Sequence, residues 1–176
     1  MMNKLAFTLI VVCILACNSH DQQLTAGQAT KIITSELGFP ADIIYTIKLA
    51  DPKEAERCLK FRLDSMGWVM VKMPKDLKYA GQPIIAFTEK AEQFLLPPNL
   101  SDVYTNIRRI KVGRKTLKAV SDIKIYGTEA SGSAIISYTD FNPLSNLAPE
   151  FITRQEELLV NFVQTNSGWA LLNTVR

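Results

Sequence analysis

A chain of 176 residues is long enough for one domain with a core of its own, so no disulfide staple is required. Hydrophobic residues make up 47% and charged residues 21%, the balance of a globular protein rather than a disordered one. A formal net charge of +3 is too small for a global basic field, which argues against nucleic acid as a partner.

The chain opens with Met1-Met2-Asn3-Lys4, which carries one positive charge. An unbroken, nearly all-apolar run from Leu5 to Leu15 follows. Its 11 residues suit a signal-peptide core, whereas a spanning helix needs roughly 20. The run ends in Ile14-Leu15-Ala16-Cys17, and polar Asn18-Ser19-His20-Asp21-Gln22-Gln23 comes next. This resembles the lipobox of bacterial lipoproteins, which usually reads Leu, then Ala or Ser, then Gly or Ala, then Cys. Small Ala16 matches; Ile14 stands for Leu, and Leu15 stands where a smaller residue is commoner. Cys13 competes poorly because Val12 before it is not small. The resemblance implies export, cleavage before Cys17, a diacylglyceryl group on its thiol and acylation of the new N-terminus. Two or more acyl chains anchor stably, where one does so only marginally. Asn18 in place of Asp implies outer-membrane over inner-membrane sorting, with the body on the periplasmic side. The alternative is an ordinary secretory signal, although Ile14 is bulky where that cleavage wants a small residue. Removing residues 1–16 would take Lys4 and leave 19 basic against 17 acidic side chains, a net +2.

The expected organisation is therefore a signal peptide at 1–16, a lipidated cysteine and tether at 17–24, a helical subdomain at 25–98 and an antiparallel β subdomain at 99–176. Thr25 is a helix N-cap, and Ala26, Ala29, Ile32, Ile33 and Leu37 form a helical stripe that Gly38 and Pro40 stop. Ile43–Leu49 reads as a strand. Asp51-Pro52-Lys53-Glu54 starts a second helix, with an N-cap, Pro at its first position and Glu at its third. That helix is expected to carry Ala55, Cys58, Leu59, Leu63 and Met66 inward and to end at Gly67. Trp68–Met73 and Ile84–Phe87 read as strands around a polar loop at 74–82. Thr88 then caps a short helix that Pro97-Pro98 ends. The stretch Met66-Gly67-Trp68-Val69-Met70-Val71, with Pro83-Ile84-Ile85-Ala86-Phe87-Thr88-Glu89-Lys90, resembles the strand and wing of a winged helix. That family would have a helix where Ile43–Leu49 reads as a strand.

From Val103 the texture is β. Val103–Lys111 and Thr116–Tyr126 flank an expected turn at Gly113, and Ala134–Tyr138 follows an expected turn at Gly132. A loop with Pro143 and Pro149 leads to Glu157–Gln164 and Trp169–Asn173, a hairpin around Thr165-Asn166-Ser167-Gly168. The expected fold is thus α+β, with N-terminal helices covering a five-strand antiparallel meander.

The residue inventory excludes several chemistries. His20 is the sole histidine and lies in the tether, so the body holds no Ser-His-Asp or Cys-His site and no His/Cys zinc site. Cys58 sits on an apolar helical stripe, as a buried thiol does. Ser121-Asp122-Ile123-Lys124 has the Ser-x-x-Lys spacing, but in a strand i and i+3 point to opposite faces. Glu156 and Glu157 also point apart in a strand. No glycine-rich phosphate loop is present.

One concentration of charge stands out. Arg108, Arg109, Lys111, Arg114, Lys115 and Lys118 span the expected Gly113 hairpin with no acidic residue among them. They are the candidate contact for anionic headgroups or an acidic partner, against the simpler role of cations that discourage edge pairing. The loop Asp140–Leu147, with Phe151, is expected either to fold back as a lid or to present a binding edge. Without a catalytic constellation, cofactor or metal motif, the expected function is a non-enzymatic envelope lipoprotein that binds a partner. An envelope hydrolase using converging carboxylates is the alternative.

Overall fold

The computed structural model describes residues 23–72, 81–152 and 155–175. Cys13, Cys17, His20, most of the 74–82 loop and the side chain of Phe151 lie outside the described residues.

Helix α1 (Ala26–Glu36) begins where its cap demands. The Thr25 hydroxyl accepts from the Gln28 N–H at 3.2 Å, and Gln28 Oε1 accepts from the Thr25 N–H at 2.9 Å. Ala29 and Ile33 are fully buried. Gly38, at φ +64°, turns the chain into β1 (Ala41–Lys48).

Helix α2 (Pro52–Lys60) starts at Asp51, whose carboxylate accepts from the Lys53 N–H at 2.9 Å. It stops a turn and a half earlier than its apolar spacing suggests. Arg62 adopts φ +58°, its N–H bonds the Leu59 carbonyl, and the Leu63 N–H bonds the Cys58 carbonyl. This is a Schellman ending, in which the residue after the left-handed position packs back on the helix. Leu63 is therefore fully buried, while Leu59 and Met66, expected inside, are 42% and 40% exposed.

Strands β2 (Val69–Val71) and β3 (Ile85–Phe87) form a separate antiparallel pair, followed by α3 (Glu89–Glu92). Thr88 occupies the N-cap position of α3 without a side-chain cap; its hydroxyl instead donates to the Gly67 carbonyl at 2.6 Å and so ties the end of β3 to the turn that leads into β2.

The expected strand from Val103 starts later. Asn99 accepts from the Asp102 N–H at 2.7 Å, and Asp102 accepts from the Asn99 N–H at 3.0 Å, which closes a capping box on helix α4 (Leu100–Tyr104). One strand of 20 residues follows, β4 (Ile107–Tyr126), and it runs straight through Gly113. The expected Gly113 turn is absent because that glycine serves close packing: a Cβ there would lie 2.8 Å from Phe141 Cδ1 and 3.1 Å from the Thr139 carbonyl. Gly132 likewise lies inside β5 (Glu129–Thr139), where a Cβ would stand 3.1 Å from the Ser121 carbonyl. The real β4–β5 turn is at Gly127, φ +62°. Strands β6 (Gln155–Thr165) and β7 (Gly168–Val175) form the expected hairpin.

The fold is α+β, with N-terminal helices and a five-stranded antiparallel sheet in the order β1-β4-β5-β6-β7. Five strands were expected, but the membership differs: two expected strands are one, and β1 joins from the N-terminal part beside β4. Helix α1 packs on both β4 and β7, which are not neighbours, so the sheet curls around it. Bulges at Ile43/Ile44, Leu117/Ala119, Ser121/Lys124 and Asn161/Phe162 supply bends for that curl. One core runs from Leu24 and Ile33 through Ile47 and Leu63 to Ile110, Ile136, Val160 and Phe162.

The loop after β5 is a lid. Pro143–Leu147 makes a 3-10 turn in which Leu144 and Leu147 are fully buried. Arg57 holds it: one guanidinium nitrogen donates to the Leu147 carbonyl, another to the Tyr45 hydroxyl at 2.7 Å. That hydroxyl donates to Glu54 at 2.9 Å, and burial together with Glu54 raises the Tyr45 phenol above its ordinary pKa. Arg57→Met should lower the free energy of unfolding by about 1 kcal/mol, because the Leu147 carbonyl loses its donor while water reaches part of the site. An unchanged urea midpoint would show that the lid does not need this arginine.

Candidate functional site

The six cations of the candidate contact lie along β4, and strand alternation divides them. Arg109, Lys111 and Arg114 pair in register with Thr46, Ile44 and Asp42 of β1. Lys115 lies opposite Ala41 and Tyr138, on the side that faces the core, with its ammonium 5.6 Å from the Tyr138 ring centroid. Arg108 lies opposite buried Ile47, and exposed Lys118 sits at the bulge between Leu117 and Ala119.

Carboxylates from other elements offset much of this charge. Lys111 Nζ is 2.8 Å from Asp42, Arg109 is 2.9 Å from Asp102, and Arg114 reaches Asp42 at 3.6 Å and Asp140 at 3.8 Å. The hydrogen bond from Lys111 is the main reason the Asp42 carboxyl lies below its usual pKa, with Arg114 adding to it. Arg108 and Lys118 have no ion pair among the described residues. The run that reads as one basic patch in sequence is thus divided: Arg109, Lys111 and Arg114 pair with carboxylates on one face, Lys115 lies over Tyr138, and Arg108 and Lys118 stand apart.

Two of the grooves among the described residues border this sheet. The larger, about 400 Å³, lies on the outer face and is lined by Asp122, Lys124, Ser131, Ser133, Glu157 and Asn161 among others. The Ser133 hydroxyl donates to Glu157. The bulge in β4 shapes it, because Ser121 pairs with Ser133 and Lys124 with Ser131, which sets two residues, Asp122 and Ile123, against Gly132 alone. The expectation that Ser121 and Lys124 point to opposite faces is corrected by that extra residue, since Ser131 and Ser133 share a face. The Ser121 hydroxyl nevertheless donates to Asp122 at 2.9 Å.

The smaller groove, about 260 Å³, lies where the end of α1 meets the sheet, between Leu37, Phe39, Ile136, Leu158 and the polar group Lys115, Tyr138 and Glu156. Tyr138 donates its hydroxyl proton to Glu156. Glu156 and Glu157 serve different grooves on opposite faces, as strand alternation requires. Sequence spacing could not have found either polar group, because Tyr138 with Glu156 and Ser133 with Glu157 are brought together only by the β5–β6 register.

Among the described residues no group of three or more His, Cys, Asp or Glu side chains could hold a metal ion. Cys58 is fully buried, and burial, reinforced by Glu54, pushes its thiol up to about 11. Alkylation mapped to Cys58 should therefore track global unfolding rather than local exposure. Because the folded pKa is raised, this thiol's contribution to stability is full below the unfolded value, near 9, and is lost as pH rises through about 11. Rapid modification of Cys58 in the native protein at neutral pH would contradict that placement.

Comparison with protein-family models, curated proteins and solved structures finds no match.

Proposed function

We propose that this protein is a bacterial envelope lipoprotein, held on a membrane through acylated Cys17, whose body binds a partner without catalysing a reaction. The observation that carries the reading is the sequence Ile14-Leu15-Ala16-Cys17 at the end of an 11-residue apolar run. Asn18 after the cysteine favours the outer membrane, periplasmic side, over the inner. In this reading β4 to β7 form a meander that curls over α1, and β2, β3 and α3 form a wing-like arm. Both serve as scaffold.

The test is palmitate labelling and membrane fractionation of the full chain beside Cys17→Ala. The native chain should carry label and sediment with membranes; the variant should lose the label and leave the membrane fraction. Equal labelling and equal retention in both would sink the reading. A crosslinking comparison of the same two strains then asks which envelope partners depend on the anchor.

A second reading, an envelope hydrolase, rests on Asp122 and Glu157 lining the same outer groove. It requires one of the two carboxyls to donate a proton while the other stays ionised. Turnover of a cell-wall polymer that disappears in both Asp122→Asn and Glu157→Gln would favour it over the binding role.

A further inference from the structure

We infer that the exposed face of α4 is a second membrane contact, which lays the body against an anionic bilayer surface beside the lipid anchor. The inference rests on the lipoprotein reading above and names the surface the body presents. Helix α4 carries Leu100, Val103 and Tyr104 at positions i, i+3 and i+4, which share one face. They are 79%, 57% and 84% exposed. A soluble protein rarely groups large apolar side chains so openly without a use for them. The helix is held at its start by its own capping box, so this face is presented in a set conformation.

Charge complements the apolar face. The register places Lys48 opposite Ile107 and Arg108 opposite Ile47, at the end of β4 that α4 leads into. Neither cation has an ion pair among the described residues. The one carboxylate in α4, Asp102, is held by Arg109 at 2.9 Å, which offsets the charge that would repel anionic lipid. Apolar and aromatic side chains beside lysine and arginine suit the headgroup boundary, where hydrocarbon and anionic phosphate lie within a few ångströms.

The tether adds a geometric reason. Leu24 is buried in the core, and only six residues, 18–23, separate it from Cys17, so the two lie at most about 25 Å apart. A link of that length keeps the body close to the headgroups, within reach of a contact by one of its faces.

The test uses the full, lipid-carrying chain in vesicles of phosphatidylethanolamine and phosphatidylglycerol. An environment-sensitive fluorophore is placed on Ser101→Cys in α4. A control is placed on Ser167→Cys, in the β6–β7 turn at the far end of the sheet. Buried Cys58 stays unlabelled in the folded protein. The Ser101 probe should shift to the blue and lose most of its emission to a shallow spin-labelled lipid, while the Ser167 probe stays water-exposed. Leu100→Asp with Tyr104→Asp should return the Ser101 probe to water; both residues are so exposed that the fold does not depend on them. Vesicles of phosphatidylcholine alone should weaken the shift. Mass spectrometry of Cys17 separates the two claims. Lipid on Cys17 with a water-exposed Ser101 probe overturns α4 docking and leaves the lipoprotein reading standing. An unmodified Cys17 overturns both. A probe shielded but not quenched by lipid means that protein covers α4, which also overturns the proposal.

Discussion

Phe162→Ala should destabilise the protein by about 3–5 kcal/mol, the largest effect of any single truncation considered for this core. Phe162 is fully buried in β6, and among the described residues it is the largest of the side chains with no exposure. Its register partners are Ala130 on β5 and Leu171 on β7. The ring therefore fills space that small Ala130 leaves open across the strand pair, and its truncation would leave a cavity in the core. Such a loss is a large share of the roughly 5–15 kcal/mol that holds a typical domain together. A urea titration should show a lower midpoint with an unchanged slope, since the surface exposed on unfolding stays the same. A loss no larger than a surface substitution, about 0.5 kcal/mol, would mean that the sheet does not close over this ring.

Gly113→Ala tests a different kind of placement and should cost about 1–3 kcal/mol. If Gly113 made a turn, the penalty would come from backbone conformation. Here Gly113 is an ordinary strand residue outside the left-handed region, so the backbone accepts alanine. The space does not: the new methyl carbon would meet Phe141 Cδ1 at 2.8 Å and the Thr139 carbonyl at 3.1 Å. The ring can give way, but the carbonyl belongs to a strand and cannot. Phe141→Leu in the Gly113→Ala background should recover part of the loss, and a double-mutant cycle should show coupling between the two positions. Additive effects, or a Gly113→Ala protein as stable as the parent, would refute the close approach.

These two residues mark where reading along the chain stops working. The caps at Thr25 and Asp51 were legible because a side chain there bonds a backbone N–H two or three residues away, inside one stretch of sequence. The α4 cap was equally local, yet Val103 and Tyr104 pulled the reading toward strand. Both are exposed, so tertiary packing is not what keeps them helical; the Asn99–Asp102 box competes locally with their β preference. Gly113 and Gly132 looked like turn residues because glycine alone does not reveal whether it is needed for φ or for space. That depends on Phe141, Thr139 and Ser121, which arrive from other parts of the fold.

The cations of β4 follow the same rule. In sequence they form a cluster with no acidic residue among them, because Asp42 lies far before them, Asp140 far after, and Asp102 just outside. Pairing β1 with β4 brings Asp42 to Lys111 and Arg114, and those two cations become partners in ion pairs. The carboxylates that do reach grooves, Glu156 and Glu157, were separated correctly by alternation alone, but their partners Tyr138 and Ser133 depend on register.

Sequence by itself determined the starts of α1, α2 and α3, the β character of the second half, the inventory with one histidine at position 20, and the apolar run that ends at Cys17. All of these depend on residue identity or on neighbours within about one helical turn. Only the tertiary structure decided that one long strand replaces an expected hairpin, that β1 completes the sheet, that the Pro143–Leu147 loop is a lid, and which cations keep their charge unpaired. Each of those outcomes is set by contacts between residues distant in the chain, and the energy of such a contact is not written in either residue alone.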